Sequence, residues 1–143
     1  MRVEKVWENP NPASTFGAQN ITDSRIGEAD IVGIEARNLA SSYGKNMFLI
    51  SKTNNETNGA ACVMSFAVAS ETGSLNLYRQ ANFDAENNRI MFSKGFNATS
   101  GRVSNNNNAC IPFRIWVLKL IGGGQFIKSL LSFLERRWRY AFN

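Results

Sequence analysis

The stretch Cys110-Ile-Pro-Phe-Arg-Ile-Trp-Val-Leu118 decides the fold class. Ile111, Phe113, Ile115 and Val117 fall on one side of an extended chain, and Arg114, Trp116 and Leu118 on the other. That period of two is what a half-buried strand requires. Pro112 cannot donate to a strand ladder, so it places the start of the run at an edge or a bulge.

Working outward, the same kind of segment recurs. Leu75-Asn-Leu-Tyr-Arg79 alternates, with Leu75 and Leu77 on one face and Asn76 and Tyr78 on the other. Ile31–Arg37, Met47–Ser51, Cys62–Ala69 and Arg89–Ser93 are apolar clusters of strand length, and Val3–Trp7 is a short strand at the start. Between the clusters lie Ser41–Asn46, Thr53–Gly59, Ser70–Ser74, Asp84–Asn88 and Gly95–Asn108, rich in the Asn, Gly, Ser and Thr that accept turn conformations. Short strands at this spacing predict an all-β fold, an antiparallel β-sandwich or jelly-roll-like domain, over residues 1–121. Trp7, Trp116 and the Ile111–Leu118 face are expected in its core. Glu8–Gln19 holds two of the three prolines and reads as a rigid irregular lead-in.

The character changes at Gly122-Gly-Gly124, which reads as a linker, and residues 125–143 read as an appended amphipathic α-helix. Ile127, Leu131, Leu134 and Trp138 form its stripe, with Phe126, Leu130 and Phe133 beside them. The helix is basic. Residues 1–113 carry ten Lys/Arg and ten Asp/Glu, so the whole net charge of +5 sits in the last thirty residues, Arg136, Arg137 and Arg139 among them. Three uses fit such a helix: packing against its own sheet or a neighbouring subunit, contact with a membrane surface, or contact with phosphates. The aromatic residues rank phosphate last, and no nucleic-acid partner is expected.

Chemistry is constrained by what the chain lacks. It has no histidine, which removes imidazole acid–base catalysis, the Ser-His and Cys-His nucleophiles and the commonest metal ligand. Two carboxylates would suffice for glycoside hydrolysis, and Glu28 with Asp30 or Asp84 with Glu86 are the nearest pairs, but both flank turn signals where exposed carboxylates are usual. Asp84–Asn88 has oxygen donors for calcium but lacks the glycine and bidentate Glu of a helix–loop–helix site. Cys62 and Cys110 read as buried apolar residues with no metal-ligand spacing. No catalytic residue, metal or cofactor is therefore expected. The sequons Asn20-Ile-Thr22, Asn55-Glu-Thr57 and Asn97-Ala-Thr99 come with no secretion signal, and no apolar run approaches the length of a membrane span.

Binding signals are softer. The Asn105-Asn-Asn-Asn108 run is a polar loop tip whose amides both donate and accept, as sugar hydroxyls require. A flat exposed cluster of Tyr43, Tyr78 and Phe96 would mark a carbohydrate platform.

Three stretches carry a resemblance. Trp7-Glu-Asn-Pro-Asn-Pro-Ala-Ser-Thr-Phe-Gly-Ala-Gln19, Asp30–Arg37 and Asn108-Ala-Cys-Ile-Pro-Phe-Arg-Ile-Trp116 resemble, in order, the opening, the next strand and the closing strand of small domains in bacteriophage and prophage structural proteins of tail-fibre, baseplate or receptor-binding contexts. The resemblance spans residues 3–118 and carries no catalytic or ligand-binding residue onto this chain. It implies a non-enzymatic, β-rich virion protein assembled in the bacterial host cytoplasm, with itself and other virion proteins as partners and a host-surface glycan as a further one. Such domains end soon after the closing strand, whereas this chain continues into the basic helix, an oligomerisation or docking device. A carbohydrate-binding adhesive module and a membrane-active protein working through that helix are the alternatives.

Overall fold

Each alternating segment is a strand, and the strands assemble into two antiparallel sheets. The structure, a computed structural model, describes residues 1–40, 44–52, 60–70, 73–99, 102–120 and 133–137. The first sheet has the order β1 (Arg2–Glu8), β9 (Ala109–Lys119), β3 (Ile31–Leu39), β4 (Lys45–Ser51). The second runs β5 (Ala60–Ser70), β6 (Gly73–Asp84), β7 (Arg89–Thr99), and the far side of β7 is shared by β2 (Gln19–Thr22) at one end and β8 (Arg102–Asn105) at the other. β9 lies between β1 and β3, so the stretch that decides the fold class is central to its sheet.

Alternation becomes burial on both sheets. Val32, Ile34, Ile115 and Val117 from the first sheet and Met64, Leu77, Phe83, Ile90 and Phe92 from the second belong to one apolar cluster. Phe16 from the lead-in and Ile26 from α1 (Ser24–Glu28) join the same cluster. A helix of five residues has no stability of its own. It is held by the full burial of Ile26, by the Asp23 cap that accepts from the Arg25 amide at 2.9 Å, and by close packing at Gly27. A methyl group at Gly27 would stand 2.7 Å from the Ala85 carbonyl oxygen and closer still to the Asn88 side chain. Only glycine lets α1 rest on that turn.

Four expectations need correction. Gly95–Asn108 is not a loop: β7 runs on to Thr99 and pairs with β8, because an antiparallel ladder uses main-chain groups and tolerates polar side chains on an exposed surface. The Ser41–Asn46 spacer likewise ends early, since β4 begins at Lys45. Phe113 does not continue the face of Ile115. It is the extra residue of a bulge between Arg114↔Glu35 and Pro112↔Ala36, and its ring is buried as expected, 5% exposed, but under the Lys45 ammonium (5.1 Å) and the Arg114 guanidinium (5.0 Å) rather than in the main cluster. Trp116 is not core either: it is half-buried on the outer face of the first sheet, where its indole N–H donates to Glu35 at 2.8 Å. Trp7, by contrast, packs on the core beside Phe16. Pro112 meets the bulge that the sequence predicts, in a strand that is otherwise central.

Candidate functional site

The largest side chain buried in full is a charged one, Arg79. Leu75, Leu77, Arg79, Ala81 and Phe83 share one parity in β6, which points the guanidinium inward. Among the described residues no carboxylate meets it. Instead Nε donates to the Cys110 carbonyl at 3.0 Å, Nη1 to Ser93 at 2.6 Å and Nη2 to Ala109 at 3.1 Å, with Asn107 at 3.5 Å, while the Phe16 ring lies 5.2 Å away. Burial pushes its pKa down to about 10, so it stays charged at neutral pH. This arrangement fastens loops. It ties the closing strand to the bulge of β7, and Gly95 makes room for it: a methyl group there would stand 2.8 Å from Arg79 Nη2 and 2.9 Å from the Ala109 carbonyl oxygen.

The motif residues that carry the resemblance converge on the same place. The Asn9 amide donates to the Phe113 carbonyl (2.8 Å) and its side chain to Pro112 (2.9 Å), while the Phe16 amide donates to Asn107 (2.9 Å). Asn106, Asn107 and Asn108 are used the same way: their main chain bonds Gly95, Phe16 and Ala40. Asn106–Asn108 form a polar turn with Asn107 and Asn108 exposed, its main chain latched to its neighbours, and Asn105 belongs to β8.

The other parity of the second sheet forms a surface of a different kind. Tyr78 and Phe96 face each other across β6 and β7 and stack, centroids 5.2 Å apart and planes 18° from parallel. Their row is completed by Ser65 on β5 and Asn105 on β8. The next rows hold Val63 with Gln80, and Ala61 with Asn82, Met91 and Asn20. Gln80 donates one amide proton to the Asn82 side-chain oxygen at 2.8 Å, a bond that uses neither proton of the Asn82 amide nitrogen. No residue in these three rows is charged. Where β7 bulges opposite Gln80, the Ser93 hydroxyl accepts the Gln80 amide and Lys94 supplies one cation. One end of the face sinks into a hollow of about 410 Å³ lined by Ala61, Gln80, Asn82, Phe83, Asp84, Asn87 and Met91. Tyr78 and Phe96 are thus brought together as a candidate platform, and Tyr43 lies outside the described residues.

In each carboxylate pair one acid is engaged by its own neighbours. The Asp84 carboxyl is held below its usual range by hydrogen bonds from Asn87 and Arg89, and Asp30 accepts from the Leu120 amide at 2.7 Å. Glu28 lines a small hollow of about 40 Å³ whose other lining carboxylate, Glu4, is taken by Arg25. Cys110 is buried at a φ of 49°, and Cys62 is half-buried; burial pushes their thiols up to about 12 and about 11, which makes both poor nucleophiles at neutral pH. Among the described residues no group of His, Cys, Asp and Glu is placed to hold a metal ion. No described helix is long and apolar enough to cross a membrane.

Of the terminal segment, Phe133–Arg137 are helical, with Phe133 and Leu134 each 52% exposed and Arg137 over the Phe133 ring at 5.4 Å. Gly122–Gly124, Phe126, Ile127, Leu130, Leu131, Trp138 and Arg139 lie outside the described residues. Against known proteins, the chain matches no family model, no curated sequence and no solved structure.

Proposed function

We propose that this chain is a non-enzymatic structural and adhesive module of a bacteriophage particle: a β-sandwich of jelly-roll-like build, with a basic amphipathic helix at its C-terminus, that assembles through subunit contacts and attaches to a neutral glycan of the host surface. The virion context comes from the resemblance carried by Trp7–Gln19, Asp30–Arg37 and Asn108–Trp116. Assembly in the host cytoplasm and partnership with other virion proteins follow from that context. The attachment role is carried by one observation, the stacked Tyr78–Phe96 pair set among amides on an uncharged sheet face. Aromatic rings supply apolar area to the C–H faces of a sugar, and side-chain amides supply paired donors and acceptors to its hydroxyls. A neutral ligand also fits three rows that hold no charged residue, with Lys94 at the β7 bulge and Asp84 in the hollow at their margins.

Affinity electrophoresis through gels containing neutral bacterial surface polysaccharides tests this. Retardation of the wild type is expected in at least one of them, with Tyr78→Ala and Gln80→Ala each weakening it about tenfold, equivalent to 1.4 kcal/mol. Both variants should keep the wild-type circular dichroism spectrum. Migration of wild type unaffected by every polysaccharide, or retardation that both variants retain, would remove the attachment role.

A further inference from the structure

We infer that the outer face of the first sheet is the seat of the C-terminal helix of a second copy of this chain. The inference rests on the assembling role proposed above and names the surface that performs it. Val3, Ile31, Met47, Leu49, Trp116 and Leu118 share the outward parity of β1, β3, β4 and β9. Val3, Met47 and Leu49 are 50, 45 and 62% exposed, in the middle of a chain whose inner faces are almost wholly covered. Gly33, between them, leaves a hollow roofed by Met47 Sδ and Leu49 Cδ2, which would stand 3.1 and 3.4 Å from a methyl group there. Val3, Leu118 and Ile31 form one row and Trp116, Gly33 and Leu49 the next, a low apolar surface about 14 Å across at the usual strand spacing, bordered by Lys5, Glu35 and Arg114.

The same chain carries the complement. Phe133 and Leu134 are helical and half exposed, on the segment whose sequence predicts an apolar stripe from Phe126 to Trp138. A helix from Gln125 to Trp138 would be about 21 Å long, enough to cross the patch. The chain also leaves the sheet beside it: Leu118 is paired with both Val3 and Ile31, and the Leu120 amide is fixed by Asp30. Among the described residues, Val3, Met47 and Leu49 on the sheet and Phe133 and Leu134 on the helix all stay about half exposed within one chain. A second copy satisfies both at once, because a two-fold exchange seats each helix on the other's sheet.

Light scattering on the full chain and on three variants tests this. The variants are Leu49→Lys on the sheet, Leu134→Lys on the helix, and a chain ending at Leu120. Both substituted side chains are more than half exposed, so the fold tolerates the lysine, and unchanged circular dichroism checks that it does. The full chain is expected at twice the single-chain mass or more, and each variant at the single-chain mass. Mixing Leu49→Lys with Leu134→Lys should restore a two-chain species, since one intact helix then meets one intact face.

An oligomer that survives Leu49→Lys overturns the inference. So does a full chain of single-chain mass, whether free or floating with anionic phospholipid vesicles, the latter result assigning the helix to a membrane. Polysaccharide retardation of the Leu49→Lys chain reads the attachment role separately, because Tyr78 and Gln80 lie on the other sheet.

Discussion

Arg79 shows how one residue can be both a liability and a fastener. A buried cation without a carboxylate costs several kcal/mol in desolvation, and here it is repaid only by carbonyl oxygens and a ring face. Removing the cation strands those carbonyls without a donor. Arg79→Met should therefore lower stability by about 3 kcal/mol or more, and Arg79→Lys by about 1–3 kcal/mol, since a point charge cannot reach separated acceptors as the planar fork does. Urea unfolding followed through Trp7 and Trp116 measures both, with an unchanged slope and a lower midpoint. An Arg79→Met midpoint equal to that of the wild type would mean the carbonyls find water and that the fastening account is wrong. The inward direction of this residue was legible in the sequence, because it continues the parity of Leu75 and Leu77. Its role was not, because the partners are main-chain oxygens some thirty residues away, which leave no mark in side-chain identity.

At the scale of elements, the β6–β7 turn couples the sheet to α1. Asp84 pairs with Arg89 at 2.8 Å and accepts from Asn87, while the Asp23 amide donates to the Asn88 carbonyl oxygen at the other end of the turn. The hydrogen bonds from Asn87 and Arg89 hold the Asp84 carboxyl below its usual range. A carboxylate whose folded pKa is depressed binds its proton more readily when unfolded. Its stabilisation is thus complete above the unfolded value, near 4, and is lost as pH falls through the folded one. The urea midpoint should fall between pH 5 and pH 3, and Asp84→Asn should reduce that fall. An identical pH profile for the variant would show that Glu4, Glu8 and Asp23, whose carboxyls are lowered by their own cationic partners, carry all of it. Strands were read well wherever apolar residues alternate, as in β6 and β9. β8 and the second half of β7 were missed because Asn, Ser and Thr describe a turn and an exposed strand equally well, and only pairing decides between them. The platform was named residue by residue, but its geometry depends on the register that sets Tyr78 opposite Phe96, which no composition reveals.

Across the whole molecule the two outer faces differ in chemical character. The second sheet offers uncharged amides and a stacked aromatic pair, and the first an apolar patch beside the exit of the C-terminal segment. Residues of both sheets join one buried cluster, so in the proposed sandwich an assembly built on the first sheet would leave the second free in every subunit. Sugar binding by a shallow face is weak for one copy, so useful attachment needs several copies on one surface. Linking sites raises overall avidity by about 10²–10⁴ without a new contact. Leu49→Lys should therefore keep its affinity for a soluble oligosaccharide while its dissociation from a polysaccharide-coated surface becomes at least tenfold faster. Calorimetry reads the first quantity and surface plasmon resonance the second. Loss of both would mean that the first sheet contacts the glycan itself, and loss of neither would mean that attachment draws nothing from assembly.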